Sequence, residues 1–357
     1  MAKKVNTTTR RKKKKQSKIV PGIMVLLVLL FVSFSYYAYQ IVYTANVDTK
    51  DQDTYVYIPT GANYSQALDS VEATGVIIDR LSLRFMAKLM DYDELVKPGR
   101  YKLENGWGNR QVIGVLRSGQ QSPVKLTFTN VRLRSQLAER LASAVEPDAA
   151  EINSLLSDPE YVKELGFDTT TIVSMFIPNT YEVYWTVKAD ELMQRMSAEY
   201  DKFWTEERLE KAEKLNLTQK QVSTLASIVQ AETIKNDEKP RVAGVYLNRL
   251  QKGMLLQADP TVVFSVGDFT IRRVLNVHLQ HDSPYNTYRY KGLPPGPINV
   301  PDISSIDAVL NAEKHSYIYF CAKDDFSGYH AFAVTQAEHQ ANARRFHQAL
   351  NKRNIMK

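Results

Sequence analysis

Cysteine is almost absent from this 357-residue chain, in which Cys321 is the only one. A single thiol cannot form an intrachain disulfide, so the fold must be held together by its core. The stretch SYIYFCAK around it is typical of a buried strand. We therefore expect Cys321 to be a small apolar core residue, with no catalytic role.

Two common catalytic motifs are also missing, G-x-x-x-x-G-K-[ST] and G-x-S-x-G. Their absence argues against nucleotide-phosphate chemistry and serine-hydrolase chemistry. His278 and His281 lie three residues apart, but no third ligand follows at a convincing spacing, so we expect no metal site. Carboxylate chemistry remains as the main catalytic possibility.

Negative charge is missing from residues 1–18, which contain nine lysines and arginines. The whole chain has a net charge of +7, so the remainder carries about −2. The bulk of the protein is not basic, and we expect no nucleic-acid partner. Residues 1–18 are better interpreted as a basic cytoplasmic tail.

No charged residue occurs in residues 19–47, a stretch long enough to cross a bilayer as a helix. The flanking basic tail predicts a cytoplasmic N-terminus and places the remaining residues outside. A cleaved signal peptide is the alternative, with SFS at residues 33–35 as its cleavage site. Because the apolar run continues past that point, we favour an uncleaved anchor over residues 19–43. Four tyrosines would form an interfacial cluster at its far end: Tyr36, Tyr37, Tyr39 and Tyr43.

The rest of the chain divides into four segments with different patterns. Residues 44–54 are a short polar linker, and residues 55–130 form a strand-helix module in which TGANYSQALDSV and NGWGNRQVIGVL each place a glycine turn before a short helix. Residues 131–217 are a mainly helical connecting region. Residues 218–357 begin with an N-cap at Thr218 and end with two strands and a helix from Gln336. The expected fold class is α+β.

One acidic residue falls within the apolar stripe of a predicted helix. In TLASIVQAETI, Leu225, Ile228, Val229 and Glu232 recur at i, i+3, i+4 and i+7, so they share one face. A carboxylate there must be paired, hydrogen-bonded, or kept protonated by desolvation. The pattern leaves two alternatives open, a structural carboxylate held by a partner such as Arg249 and a general acid whose pKa an apolar pocket raises to about 6.

Other hydrogen-bonding groups fall on predicted loops, where functional residues are common. The stretches are LQADPTVVF, SPYNTYRYKGLPPGPI, LNRL with Asn248, and HAF with His330. The tyrosines and amides of YNTY suit sugar rings and their hydroxyls, although such a loop can also simply cap its own backbone. The candidate substrate-binding residues are Gln257, Asp259, Thr261, Tyr285, Asn286, Thr287 and Tyr288.

Six motifs give the chain a family resemblance: LASIVQAET, VYLNRL, MLLQADPTVVF, YNTY, GLPPGPI and HAFAVTQAEH. In this order and spacing they resemble the endolytic murein transglycosylases, the MltG or YceG-like family. The resemblance extends over nearly the whole chain. It implies a LysM-like module at residues 55–130, a mixed α/β catalytic domain at residues 218–357, and no cofactor.

Two positions depart from the family pattern. The family segment commonly reads Glu-x-Glu-Thr, whereas Gln230 stands at its first position here, which leaves Glu232 as the matching catalytic acid. After GLPPGPI, many members continue Asn-Pro-Gly, whereas this chain continues with the sequence NVPD at residues 299–302. The resemblance therefore assigns catalysis to Glu232 and gives no fixed role to the backbone of residues 299–302.

The activity that the resemblance implies is non-hydrolytic cleavage of the β-1,4 MurNAc–GlcNAc bond of peptidoglycan, which ends strand elongation and leaves 1,6-anhydro-MurNAc. The seven loop residues would bind the glycan strand. The implied location is the inner membrane, single-pass, with a periplasmic catalytic domain and a peptidoglycan synthase (penicillin-binding protein) as a partner. Two alternatives stay open: a muramidase-type hydrolase using Asp259, and a non-catalytic wall-binding scaffold.

Overall fold

The structure is a computed structural model that describes Met1, residues 19–129 and residues 131–352. The basic tail predicted for residues 1–18 lies outside the described residues, apart from Met1. Contacts divide the chain into two compact units, Met1–Ser122 and Pro123–Lys357. Each unit mixes helices with antiparallel strand pairs, in agreement with the expected mixed fold class.

The first unit begins with a long apolar helix, α1 (Ile19–Tyr43), at the position predicted from the sequence. Its segment Val20–Tyr43 is long and apolar enough to cross a membrane. Residues 20–37 of this helix are exposed. This helix is compatible with a single-pass membrane anchor.

A two-stranded sheet with helices follows α1. The elements are β1 (Thr54–Ile58), α2 (Tyr64–Ala73), α3 (Arg80–Leu89), β2 (Gly99–Leu103) and α4 (Asn109–Ser118). Strands β1 and β2 pair antiparallel, with Val56 opposite Tyr101. Helices α2 and α4 begin where the glycine turns predict them, whereas α3 is an additional helix that was not predicted.

Residues 44–54, the predicted linker, make specific contacts within the first unit. The Asn46 side chain donates hydrogen bonds to the Asp79 carbonyl (2.8 Å) and to Oδ1 of Asn109 (2.5 Å). Val47 is buried and forms an isolated bridge with Ile77. The chain that leaves α1 is thus fixed against α3 and α4.

The second unit has more helices and one large core. Strand β3 pairs antiparallel with β4, and β5 with β6. Its strands are β3 (Val124–Thr127), β4 (Thr180–Val183), β5 (Tyr319–Ala322) and β6 (His330–Ala333). Its helices are α5 (Arg134–Ala142), α6 (Ala149–Ser157), α7 (Pro159–Glu164), α8 (Ala189–Phe203), α9 (Glu206–Lys214), α10 (Gln219–Glu232), α11 (Lys239–Gln251), α12 (Asp259–Val266), α13 (Asn276–Leu279), α14 (Ile303–Leu310) and α15 (Gln336–Lys352).

The strand around Cys321 is present as β5, but the prediction that Cys321 is buried is wrong. The residue is only half-buried, with a free thiol. The β5–β6 sheet has only two strands, so it does not enclose its own side chains on both faces.

Helix α10 passes through the core of the second unit. Thr218 caps it as predicted, and its hydroxyl accepts a hydrogen bond from the Gln221 amide. The stripe residues Leu225, Ile228 and Val229 have no exposed surface. Residues 222–229 are buried on every side because α9, α11, α12 and α14 all pack against the helix. The burial is therefore wider than one amphipathic face.

Candidate active site

Glu232 is the last residue of α10, and its carboxyl receives one short hydrogen bond. The hydroxyl of Tyr246, a buried residue on α11, donates to Oε1 of Glu232 at 2.6 Å. Part of the Glu232 surface faces a cleft, but its carboxyl group is enclosed. Burial raises the pKa of Glu232 to about 7; the Asp259 charge raises it too, while the Tyr246 bond and the Arg249 charge oppose the shift.

Arg249 lies near this carboxyl but directs its hydrogen bonds elsewhere. Its guanidinium donates to the backbone carbonyls of Ile318 (2.6 Å) and Leu256 (2.7 Å). Of the influences on the pKa of Glu232, the charge of Arg249 is the smallest. Arg249 is thus not the hydrogen-bond partner of Glu232, and the hydrogen bond that its carboxyl does receive comes from Tyr246.

A second buried carboxylate fixes the chain just after Glu232. Glu238 accepts hydrogen bonds from the hydroxyl of Thr233 (3.1 Å) and the backbone amide of His330 (2.7 Å). The Nδ1 atom of His330 also lies 2.7 Å from the Glu238 carboxylate. These contacts connect the end of α10 to β6. His330, from the HAF stretch, therefore helps to hold the end of α10 in place.

Two clefts meet at Glu232 and Asp259. One, of about 300 Å³, is also lined by Gln257, Tyr288 and residues of the C-terminal part of the chain. The other, of about 400 Å³, is lined by Phe264, Phe269 and other residues, among them the guanidinium side chains of residues 132 and 272. A larger cavity of about 580 Å³ lies at the start of α10, but none of the described residues that line it is acidic or a histidine. The clefts around Glu232 are therefore the better candidate site.

Three of the predicted binding residues line the cleft with Glu232: Gln257, Asp259 and Tyr288. The Tyr288 hydroxyl donates to Oδ1 of Asp259 at 2.6 Å. Gln257 has a φ of +52°, in the left-handed region that non-glycine residues rarely adopt. Its amide donates to the Thr287 carbonyl at 3.1 Å, which helps to hold this backbone in place. Backbone strain of this kind is often found at functional sites.

The other four predicted binding residues line neither cleft and instead hold the loops together. Thr261 and Thr287 are buried, with their hydroxyl oxygens 2.8 Å apart. The buried Asn286 side chain donates to the carbonyls of Leu279 (2.9 Å) and His281 (2.8 Å). The ring of Tyr285 packs on Phe264 at a centroid distance of 4.8 Å.

The structure adds polar cleft residues beyond the predicted ones. They are Tyr246, Tyr319, Gln336 and His339 in one cleft and Asn299 in the other. Tyr246, Gln336 and His339 lie within the quoted motifs VYLNRL and HAFAVTQAEH, which was the available signal. The Asn299 side chain donates to the Ser227 carbonyl at 2.9 Å, while its Oδ1 has no hydrogen-bond partner among the described residues.

Gln230, which stands where the family commonly has glutamate, has a structural contact. Its side-chain oxygen accepts hydrogen bonds from the Asp302 amide and from the Ser305 hydroxyl (3.2 Å) at the start of α14. A neutral amide oxygen suffices for both bonds. The side chain at residue 230 therefore joins α10 to α14 and lines neither cleft among the described residues.

An enclosed carboxyl with a raised pKa, on a residue that lines two open clefts, is typical of an enzyme that uses acid catalysis. The YceG-like family profile matches residues 56–345, and the chain belongs to this family. A crystal structure of a YceG-like protein from Listeria monocytogenes is 28% identical, with a TM-score of 0.56. The similarity covers 81% of this chain and 98% of the Listeria monocytogenes chain.

Two relatives carry the name endolytic murein transglycosylase. The Bacillus subtilis protein is 28% identical over 307 residues, which cover 81% of this chain and 84% of its own length. The Streptococcus pneumoniae protein is 26% identical over 317 residues, which cover 80% of this chain but only 57% of its own length.

Proposed function

We propose that this chain is a membrane-anchored endolytic lytic transglycosylase acting on the β-1,4 MurNAc–GlcNAc bond of peptidoglycan. The observation that carries the proposal is the Glu232 carboxyl, with a pKa of about 7, where the two clefts meet. Such a carboxyl can donate a proton near neutral pH. The names of the relatives support the substrate class.

The proposed reaction needs one carboxyl group acting twice. Glu232 first gives its proton to the glycosidic oxygen, and the departing GlcNAc carries that proton as a hydroxyl. The resulting carboxylate then accepts the proton of the C6 hydroxyl of MurNAc, whose oxygen bonds to C1 and closes a 1,6-anhydro ring. No water is consumed and Glu232 ends protonated again. Because the attacking hydroxyl belongs to the same sugar, no second base is required.

The residues around Glu232 fit binding roles in this scheme. Gln257 and Tyr288 offer an amide and a phenol to a glycan strand, and Asp259 adds a negative charge that favours an oxocarbenium-like centre. Thr261, Tyr285, Asn286 and Thr287 would act indirectly, by holding these loops. The order β1, α2, α3, β2 supports a LysM-like glycan-binding role for the part of residues 55–130 that lies in the first unit, up to residue 122.

The proposed location rests on α1 and on the basic sequence of residues 1–18. We propose a single-pass inner-membrane protein with a cytoplasmic N-terminus and a periplasmic catalytic domain. An enzyme tethered there reaches only strands near their site of synthesis, which supports a role in ending strand elongation beside a peptidoglycan synthase.

A muramidase-type hydrolase is the second candidate, and the position of Asp259 favours it. Asp259 lines both clefts with Glu232, so it could activate a water molecule as the second carboxylate. Against this role, its Oδ1 already accepts the 2.6 Å hydrogen bond from Tyr288.

Product masses separate these candidates. The full chain in detergent is incubated with purified sacculi, and the released ends are weighed. The proposal expects anhydro ends, lighter than reducing ends by one water molecule, and their loss in Glu232→Gln. Reducing ends, together with an equal loss in Asp259→Asn, would establish the hydrolase instead. Binding to sacculi with no released ends, in the wild type as well as in Glu232→Gln, would leave only the wall-binding scaffold.

A further inference from the structure

Helix α3 carries an exposed apolar stripe on its outer side. Leu81, Phe85 and Leu89 are 70%, 55% and 62% exposed, and Ile78, just before the helix, is 67% exposed. The four-residue spacing of Leu81, Phe85 and Leu89 places these three along one side of the helix, and Ile78 lies two residues before its first residue. A continuous row of large apolar side chains usually marks a surface that is covered in the working protein.

The opposite side of α3 already serves the core. Leu83, Met86 and Ala87 are buried there, so the outer stripe is not needed for folding of the first unit. Charged neighbours do not point to a protein partner either, because they are paired within the unit. Arg84 contacts Glu72 (2.5 Å), and Lys88 contacts Asp93 (2.6 Å).

The position of the stripe relative to α1 indicates what covers it. Residues 20–37 of α1 are exposed. This helical segment is about 27 Å long, which is close to the bilayer's hydrocarbon thickness of about 30 Å. Beyond them, Ile41 is buried in the core of the first unit. Asn46 then bonds the Asp79 carbonyl at the start of α3, so α3 begins beside the point where α1 would leave the lipid.

We propose that α3 lies on the outer membrane–water interface, with Ile78, Leu81, Phe85 and Leu89 inserted among the lipids. This inference rests on the proposed membrane anchor and goes beyond it, because an anchor alone allows the first unit to stand clear of the bilayer. An amphipathic helix whose apolar face lies in the interface is a common mode of peripheral membrane contact.

Spin labels in lipid nanodiscs test the proposal on the full chain. Cys321→Ser removes the only thiol, and single cysteines are then placed at Leu81 or Phe85 on the stripe. Leu95, in the same unit and 40% exposed, is the matched control, and Val28 in α1 reports on the anchor. We expect labels at positions 81 and 85 to favour collisions with oxygen over a water-soluble nickel complex, as at position 28, with the reverse at position 95.

Each of the remaining outcomes would contradict one part of the proposal. Lipid contact at position 28 but aqueous contact at positions 81 and 85 would overturn the interfacial placement while leaving the anchor intact. Aqueous contact at position 28 would overturn both. Disulfide-linked dimers formed readily through Phe85→Cys, but not Leu95→Cys, would assign the stripe to a second copy of the chain.

A variant with two introduced charges on the stripe gives a second measurement. Leu81→Glu with Phe85→Glu should fold normally, because neither side chain lies in the core, and should shift a spin label attached at Leu89→Cys towards nickel collisions. An unchanged position-89 label in this variant would also contradict the proposal.

Discussion

The hydroxyl of Tyr246 lies 2.6 Å from Oε1 of Glu232, which joins the end of α10 to the middle of α11. Tyr246 is itself buried, and its ring packs edge-on against Phe320 of β5. The bond favours the ionised carboxylate, whereas burial and Asp259 favour the protonated form. The pKa of about 7 results from these opposing effects, so weakening either of them should shift the pKa of Glu232.

Tyr246→Phe should raise the pKa of Glu232 because it removes the hydrogen bond to the carboxylate. In the proposed reaction the acid must be protonated, so wild-type activity should fall as the pH rises through about 7. The variant should move this alkaline limb upward by about one pH unit, the usual effect of one hydrogen bond to a charged group. The measurement is kcat as a function of pH.

Tyr161→Phe is the matched control, since the Tyr161 hydroxyl also donates to a carboxylate, Asp190 at 2.7 Å, outside the clefts. The alkaline limb of the kcat–pH profile of Tyr161→Phe should coincide with that of the wild type. A Tyr246→Phe limb at the wild-type pH or lower would contradict the described balance at Glu232.

Glu232→Gln should change the pH dependence of stability as well as activity. The pKa of Glu232 is raised on folding, so its favourable contribution is complete below about pH 4.5 and is lost as the pH rises through about 7. Glutamine does not ionise, so the variant does not lose this stability as the pH rises. The variant should therefore gain about 1–3 kcal/mol relative to wild type between pH 5 and pH 8, seen as a rising difference in Tm.

Activity in the same variant should fall about 10²–10⁴-fold, the usual contribution of general acid–base catalysis. Glu160→Gln changes an exposed glutamate on α7 and serves as the stability control. If Glu232→Gln and Glu160→Gln show the same Tm differences at both pH values, Glu232 is ionised without cost in the folded protein.

Several features followed from local sequence alone. The Thr218 cap and the two strands near the C-terminus were predicted because capping residues and short-range periodicity determine them. The prediction of a loop at LNRL is wrong, because these residues lie within α11. Helix α3 was missed because apolar residues lie on both of its sides, which hides the usual single-faced pattern.

The candidate site was predictable only in part. Gln257, Asp259 and Tyr288 were singled out as polar loop residues, and the structure brings them together with Glu232. Asn286 and Thr287 have the same sequence character but are buried, because nothing local distinguishes a ligand-binding amide from one that holds its own loop. Tyr246 and His339 reach the cleft through packing between elements distant in sequence.

Gln230→Ala should destabilise the second unit, whereas Gln230→Glu should be tolerated. Alanine leaves the Asp302 amide and the Ser305 hydroxyl without their acceptor, a loss of about 1–2 kcal/mol. Glutamate keeps an acceptor oxygen at the same reach. Thermal unfolding of both variants measures the difference, and activity should follow the folded fraction. A large loss of kcat in folded Gln230→Glu would mean that residue 230 takes part in the reaction.

Gly244→Ala should destabilise the protein because α11 approaches residues 313–315 closely. A Cβ at Gly244 would lie 2.5 Å from the Glu313 carbonyl oxygen and 2.6 Å from Nε2 of His315. Relieving such overlap costs about 1–3 kcal/mol. Gly114 on α4 has open space, so Gly114→Ala should instead stabilise by about 0.5–1 kcal/mol. Equal melting shifts in the two variants would contradict this difference.

The end of α10 has an electrostatic consequence of its own. The helix stops at Glu232, and Thr233 is already extended, with φ −143° and ψ 139°. The carbonyl groups of a last helical turn give that end a partial negative charge, which repels a carboxylate and favours its neutral form. By ending the helix at its acidic residue, the chain uses the peptide dipoles of α10 to help retain the proton.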